Sequence, residues 1–126
     1  MFGYDFLFLK EKLQSCSDFL VLPEATPKSK PSWFGFPITL RENSPVKRND
    51  LVKMLNQNQI GTRLLFAGNL IHQPYMEKLN YRVVGDLMNS NTIMNNTFWV
   101  GVYPGLTERM LEFTADKIRT ILSCGS

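Results

Sequence analysis

The chain has 126 residues, of which 44% are hydrophobic and 20% charged, with a formal net charge of +3. This length and composition predict one globular domain with a single core, not a disordered segment. No apolar run reaches the roughly 18 residues that a membrane helix requires, so no membrane segment is expected. The pI of about 9.0 could suggest nucleic acid, but the basic residues are scattered and form no stripe with interleaved aromatics, which disfavours it.

The first forty residues predict a helix followed by two strands. A helix is expected over residues 5–18, because apolar residues recur there and just beyond at three- and four-residue spacing: Phe6, Leu9, Leu13, Cys16 and Leu20. A short apolar strand over 19–22 leads to a polar, proline-punctuated connection over 24–32. Residues 33–40 predict a strand that Pro37 restricts to a sheet edge or an irregular position.

The middle of the chain predicts a helix, a strand and a long loop-rich stretch. The helix is expected over residues 49–58, although Lys47 and Arg48 stand where the helix dipole favours negative charge. A strand over 63–67 follows it, and residues 68–96 are rich in loops with short helical pieces.

The last third predicts a strand over residues 97–103 and a final helix with Thr107 as its N-cap. The apolar stripe of this helix is expected to be buried and comprises Met110, Leu111, Thr114, Ile118, Ile121 and Leu122. The order of elements predicts an α/β (α+β) fold, in which a small mixed or antiparallel sheet has helices packed on one face. Residues 1–126 form this one domain.

Residues with catalytic or metal-binding chemistry are few. Cys16 and Cys124 cannot hold zinc or an iron–sulfur cluster without other ligands, so no metal site is expected. Cys16 lies on the apolar stripe of the first helix and is expected to be a buried reduced thiol, as in a reducing cytoplasm. His72 is the only histidine, and no carboxylate stands at ligand spacing from it. A hydrogen-bonding role at the edge of a site is therefore favoured over a catalytic one, and no catalytic residue is assigned.

Two polar residues and the aromatic pairs each leave two interpretations open. Arg63 lies among apolar neighbours on a predicted strand, so its guanidinium forms a salt bridge or binds an anion at a site. Asn69 is a turn residue or a hydrogen-bond donor to a ligand. The aromatic residues favour core positions over a cofactor platform, and comprise Trp33, Phe34, Phe36, Phe98 and Trp99. An apolar surface too large for this chain to bury would suit docking to another domain.

Four separated segments, residues 32–40, 61–74, 81–87 and 93–107, resemble one group of enzymes. These are the CDP-4-keto-6-deoxy-D-glucose 3-dehydrases of the DegT/DnrJ/EryC sugar aminotransferase family, which are fold type I vitamin B6 enzymes. The four motifs occur in order over nearly the whole chain. The resemblance covers only the C-terminal small domain of those proteins, so the large cofactor domain is absent.

The resemblance implies how such an enzyme is divided. Its large domain carries pyridoxamine or pyridoxal phosphate and a [2Fe-2S] cluster, and the cofactor acts as the electron sink. The substrate is a CDP-sugar, a partner reductase delivers electrons, and the product is a dideoxysugar for O-antigen lipopolysaccharide. The family's catalytic histidine and cluster cysteines belong to the large domain, and His72 and Cys16 do not match them. This chain is therefore expected to bind no cofactor and to be inactive alone.

The resemblance also implies a substrate-side loop after the third predicted strand. The residues expected to line the substrate entrance are Arg63, Phe66, Gly68 and Asn69. Two departures from the family pattern bear on this. Thr92 stands where some relatives are expected to have a basic residue, which weakens anion binding by this region, and Lys47 replaces a better helix cap.

Two functional classes remain open besides nucleic-acid binding, which is the weakest. The chain is the small-domain part of a nucleotide-sugar 3-dehydrase, or it is a non-catalytic dimerisation or assembly module derived from that domain. In either case an apolar face is expected to pair with the large catalytic domain or with a second copy in a homodimer. A cytoplasmic location is expected, because the N-terminus lacks a basic region and a small-residue cleavage site.

Overall fold

The computed structural model of the chain describes residues 2–125. The α-helices are α1 (Phe2–Leu13), α2 (Arg48–Gln57), α3 (Met88–Asn96) and α4 (Glu108–Leu122). The strands are β1 (Leu20–Val21), β2 (Gly35–Leu40), β3 (Thr62–Leu64) and β4 (Thr97–Gly101). Short 3₁₀ turns cover Gln14–Cys16, Leu70–His72 and Pro74–Lys78. Within residues 2–125, no helix is long and apolar enough to cross a bilayer.

The strands form one antiparallel sheet in the order β1-β2-β4-β3. Side chains along β2 alternate between half-buried and buried, because successive residues of a strand point to opposite faces of the sheet. One face of the sheet therefore packs into the core, contributing Phe36, Ile38, Leu40, Phe98 and Val100. The expected class is confirmed, and of the two sheets considered the antiparallel one is present.

Helices α1, α2 and α4 cover the buried face of the sheet. The apolar repeat of the first helix is confirmed, since its core residues are at most 4% exposed: Phe6, Leu9, Leu13 and Cys16. Helix α2 contributes Leu51 and Leu55. The helix α1 begins earlier than expected and ends at Leu13, after which a 3₁₀ turn carries Cys16.

Helix α4 begins as its sequence predicts, because the Thr107 side chain accepts a hydrogen bond from the Met110 amide. Its buried stripe differs from the expected one. Met110 is 51% exposed and Ala115 is fully buried, so the stripe is rotated toward Leu111 and Ile118. Ala115 carries only a methyl group, so a search for large apolar residues at helical spacing does not single it out.

The prediction that Pro37 restricts its strand to a sheet edge or an irregular position agrees with the structure only in part. Its strand, β2, is internal in the sheet, so the expected edge position is wrong for the strand as a whole. However, β1 pairs only with Thr39 and Leu40, and Arg41 donates its amide to Phe19 on the same side. By the alternation of the ladder, the nitrogen of Pro37 faces this side beyond the end of β1. The strand therefore tolerates proline there.

Two further strand expectations differ from the structure. The strand expected over 63–67 ends at Leu64, because Phe66 adopts a left-handed backbone with φ of 49° that a strand cannot continue. The aromatic residues expected in the core divide between two environments. Phe36 and Phe98 are buried, whereas Phe34 is 69% exposed.

The first and last helices run side by side in the same direction. Near their N-terminal ends, the Tyr4 hydroxyl donates to Glu108 at 3.0 Å, and this bond raises the pKa of the Tyr4 phenol. Lys12, near the C-terminal end of α1, forms an ion pair with Glu112 of α4, and its carbonyl accepts a bond from Arg119 near the C-terminal end of α4. The helices therefore contact one another along their length, although they are at opposite ends of the chain.

A disulfide bond between Cys16 and Cys124 joins the C-terminal ends of these two helices. Cys16 is buried as expected, but its expected reduced state is wrong. The sequence could not show the bond because 108 residues separate the two cysteines. They meet because α1 and α4 are parallel neighbours, so the residues that follow each helix lie close together.

The hydrogen bonds of Arg48 explain why a basic residue is found at the start of α2. Its Nη1 donates to the carbonyl oxygens of Met94 at 2.8 Å and Thr97 at 3.0 Å. These acceptors are at the C-terminal end of α3, where the helix dipole favours a cation. Partial burial lowers the pKa of the Arg48 guanidinium, which nevertheless stays protonated. Its charge is thus stabilised by a helix other than its own.

We predict that Arg48→Met lowers the free energy of unfolding by about 1.5–3 kcal/mol, because two backbone acceptors lose a charged donor. The neighbouring exposed Lys47 makes no side-chain cap of α2, so Lys47→Met should change stability by less than about 0.5 kcal/mol. Urea unfolding of both variants measures the difference. Equal losses would contradict the role of Arg48.

Candidate functional site

The face of the sheet opposite the core carries an aromatic cleft of about 190 Å³. Phe34 meets the Trp99 indole edge-on at a centroid distance of 5.5 Å, and Phe66 is 82% exposed beside them. The cleft is lined by Ser32, Trp33, Phe34, Gly35, Pro37, Leu65, Phe66 and Trp99. It is almost wholly apolar, so it suits a ring or an apolar side chain.

Gly35 gives the cleft its shape. A Cβ at this position would lie 2.6 Å from Cε3 of Trp99, which is closer than real atoms approach. The missing side chain therefore lets the indole lie directly over the β2 backbone. The motif of aromatics beside glycine thus builds a surface here, not a core contact.

Arg63 stands opposite Trp99 in the register of β3 and β4, so both side chains are on the outer face. Its Nη1 donates only to the neighbouring Thr62 carbonyl, at 3.1 Å. Among the residues that the structure describes, no carboxylate forms a salt bridge with it. The guanidinium is exposed beside an apolar cleft, an arrangement suited to binding an anion that carries a ring.

The loop after β3 is held by an unusual backbone. Phe66 and Gly68 both have positive φ, 49° and 70°. A Cβ on Gly68 would lie 2.6 Å from the Cα of Met94, so the loop packs against the backbone of α3. Glycine is required at 68 on both grounds, and the sharp turn projects the Phe66 ring into solvent.

Asn69 is buried, at 4% exposure, and is bonded within the protein. Its Nδ2 donates to Oδ1 of Asn91 at 2.9 Å, and its own Oδ1 accepts the Ile71 amide. His72 Nε2 lies 2.9 Å from the same Asn91 oxygen. Because this amide oxygen can only accept, His72 carries its proton on Nε2. Asn91 of α3 therefore ties two loop residues together.

The four residues expected to line the substrate entrance lie in two different environments in the structure. Phe66 is exposed at the cleft. Arg63 is exposed on the neighbouring strand, where it lines a separate groove between β3 and α2. Gly68 and Asn69 face α3. The sequence did not single out Asn91, which carries no local signal because its partners are about twenty residues away. It also placed Phe34 and Trp99 in the core, although Gly35 beside them hinted at a close approach.

The described residues do not fit either cofactor that the resemblance implies. Both cysteines are bonded to each other, which leaves none for a cluster. Within residues 2–125, no three His, Cys, Asp or Glu side chains are grouped to hold a metal ion. No lysine lines the aromatic cleft, and the His72 Nε2 proton is engaged by Asn91. What this face offers is binding and positioning.

We predict that Gly68→Ala lowers the free energy of unfolding by about 2–4 kcal/mol, because a left-handed backbone and a clash with Met94 add together. Two controls separate these causes. Gly85 has positive φ and open space around it, so Gly85→Ala should cost about 1 kcal/mol. Gly61 has open space without positive φ, so Gly61→Ala should cost less than about 0.5 kcal/mol. If Gly61→Ala and Gly68→Ala lower the free energy of unfolding equally in urea, the packing of Gly68 against Met94 is refuted.

We also predict that Asn91→Ala lowers stability by about 1–3 kcal/mol, because the buried Asn69 amide loses its acceptor. The matched control is Asn89→Ala on the exposed side of α3, which should be nearly neutral. In two-dimensional NMR, the His72 ring signals should shift in the first variant only. An unchanged His72 in Asn91→Ala would rule out the bond.

Comparison with known proteins gives one consistent family. A family model described as "DegT/DnrJ/EryC1/StrS aminotransferase family" matches residues 6–119. The lipopolysaccharide biosynthesis protein RfbH of Salmonella typhimurium is 62% identical over 113 residues, covering 90% of this chain and 26% of RfbH. A dTDP-4-dehydro-2,6-dideoxy-D-glucose 3-dehydratase of Saccharopolyspora spinosa is 45% identical, covering 85% of this chain and 23% of that protein. The chain thus spans about a quarter of the length of these relatives.

Solved structures share the fold. The E. coli GDP-4-keto-6-deoxy-D-mannose-3-dehydratase with bound hydrated PLP matches with a TM-score of 0.80 at 22% identity, covering 92% of this chain and 29% of that one. An aminotransferase from Psychrobacter cryohalolentis matches with a TM-score of 0.83 at 13% identity, covering 96% and 33%. The resemblance seen in the four motifs is confirmed. The chain belongs to the DegT/DnrJ/EryC1/StrS aminotransferase family.

Proposed function

We propose that residues 1–126 act as the C-terminal small domain of a pyridoxamine-phosphate-dependent nucleotide-sugar 3-dehydrase. Such an enzyme removes the 3-hydroxyl of CDP-4-keto-6-deoxy-D-glucose on the way to a dideoxysugar of O-antigen lipopolysaccharide. The observation that carries the proposal is the 62% identity to RfbH, which is named for lipopolysaccharide biosynthesis. Two further relatives are named as 3-dehydratases.

The proposal assigns bond making and breaking to a large domain outside this chain. That domain would hold pyridoxamine or pyridoxal phosphate and a [2Fe-2S] cluster, and a reductase would supply electrons. The geometry of this chain supports the division. His72 is bonded to Asn91, Cys16 and Cys124 are bonded to each other, and the cleft lacks titratable side chains. The chain alone would bind no cofactor and would be inactive.

Within this division, Arg63, Phe66, Gly68 and Asn69 shape the substrate side. Among the residues that the structure describes, exposed Arg63 bonds only to Thr62 of its own strand, so its guanidinium is available to a phosphate of the nucleotide sugar. Phe66 supplies an apolar edge next to it. Gly68 and Asn69 act indirectly, because their contacts with α3 hold the loop in shape. Thr92 is uncharged, so it does not add a second positive charge to that of Arg63 for binding the phosphate.

The proposed partners follow from the apolar outer face. The aromatic cleft, with Phe34 and Phe66 mostly exposed, would be covered by the large domain of the same enzyme or of a second copy. The biosynthetic function proposed for the chain suits a location in the cytoplasm. Neither nucleic acid nor a membrane is a proposed partner.

A second candidate function is a non-catalytic dimerisation or assembly module. The observation that favours it is a separate apolar groove along α4, of about 700 Å³, with Tyr103, Met110 and Phe113 half exposed. Self-association through this face would bury it. Sedimentation velocity distinguishes the cases, since a chain that stays monomeric at all concentrations contradicts a homodimer.

Trans-complementation tests the dehydrase proposal. RfbH lacking its matching quarter is mixed with the 126-residue chain, pyridoxamine phosphate, a reductant and CDP-4-keto-6-deoxy-D-glucose. The matching piece of RfbH itself is the positive control. We expect loss of the 3-hydroxyl only when both parts are present. Turnover by the chain alone, or failure of the chain where the RfbH piece succeeds, would overturn the proposal.

In the complemented enzyme, we predict that Arg63→Met raises KM for the nucleotide sugar about tenfold or more, because a charge-assisted phosphate contact is lost. The control is Arg82→Met, an exposed arginine in the loop before α3, which should leave KM unchanged. Stability of both variants should match the parent chain. An unchanged KM in Arg63→Met would remove Arg63 from the substrate side.

A further inference from the structure

The disulfide between Cys16 and Cys124 stands apart from the proposed catalytic function. Cys16 is fully buried, and Cys124 is 7% exposed in the turn that follows α4. Persistent disulfides are rare in reducing compartments, where those that occur are mostly transient or redox-sensing. A bond that joins the two ends of a sugar-modifying enzyme domain therefore calls for a function of its own.

We propose that Cys16 and Cys124 form a reversible, redox-sensitive cross-link. The disulfide joins the ends of α1 and α4 in the oxidised protein, and its reduction leaves the same fold less stable. The bond closes 108 residues of the chain, nearly its whole length. Closing so long a loop removes much of the freedom of the unfolded chain, and this favours the folded state. The proposal does not depend on dehydrase activity.

The contacts around the bond hold the two sulfur atoms together without it. The Cys124 amide donates to the Arg119 carbonyl at 3.0 Å and the Ser123 amide to Thr120, which fixes the turn after α4. Arg119 also donates to the Lys12 carbonyl at the end of α1, at 3.1 Å. Since these contacts persist after reduction, the thiols stay adjacent and reoxidation is intramolecular.

The two cysteines differ in access, which sets the order of the exchange. A thiolate of a dithiol reductant attacks the sulfur of Cys124, the more exposed of the two cysteines, and the S–S bond breaks. The sulfur of Cys16 leaves as a thiolate and takes up a proton. The second thiol of the reductant then displaces Cys124, which also becomes a thiol. The protein gains two electrons and two protons, and the reductant becomes a cyclic disulfide.

Counting free thiols and unfolding the oxidised and reduced chain test the proposal. The purified chain is treated with oxidised glutathione, and free thiols are counted in denaturant by maleimide mass shift. We expect none in the oxidised monomer and two after dithiothreitol. Reduction should raise the equilibrium constant of unfolding about a thousandfold and lower Tm by about 10 °C or more. Circular dichroism at 25 °C should stay native-like.

Variants separate the bond from other effects of reductant. Cys124→Ser, changed in the terminal turn, and Cys16→Ala/Cys124→Ser should unfold like the reduced parent chain and should not respond to dithiothreitol. Two free thiols after oxidised glutathione would overturn the proposal. So would a bond whose reduction leaves Tm unchanged, or reoxidation that gives intermolecular dimers. If a variant does not fold, thiol counting and Tm of the parent chain decide.

Discussion

The pairing of the first and last helices over one face of the sheet is the constraint on which the rest of the structure depends. Core residues of α1 and α4, such as Leu9, Leu13, Ile118 and Leu122, are at most 1% exposed. Each such burial contributes about 1.5–3 kcal/mol against the exposed state. The Cys16–Cys124 bond joins the same pair covalently. Both ends of the chain are therefore needed for one core.

Because the core lies on one face, the side chains on the other face of β2 and β4 lie outside it. The aromatic cleft and Arg63 are on that face, and α3 holds the neighbouring loop through Gly68 and Asn69. Among the described residues of this face, no nucleophile is hydrogen-bonded to a base. The proposed role of the chain, as one domain of a longer enzyme, assigns the cofactor chemistry elsewhere for this reason.

The sequence predicted what local patterns determine. The α1 repeat, the α4 N-cap at Thr107 and a small sheet with helices packed on one face follow from spacing and capping rules. Whether that sheet is mixed or antiparallel was left open by the sequence, and the structure shows it to be antiparallel. The contacts that join distant parts were not predictable in this way. The Cys16–Cys124 bond, the Arg48 contact with α3 and the bonds from Asn69 and His72 to Asn91 all depend on tertiary neighbours. Phe34 and Trp99 were misplaced because aromatic character does not distinguish core from binding face.

Native-state hydrogen exchange of the 126-residue chain tests the central claim, that α1 and α4 form one cooperative unit with the middle of the sheet. The amides of α1, β2, β4 and α4 should exchange with the same, highest opening free energy. Residues 65–87, which lie outside the sheet, should exchange at lower free energies. If α1 or α4 opens separately from β2 and β4, the account of the fold is contradicted.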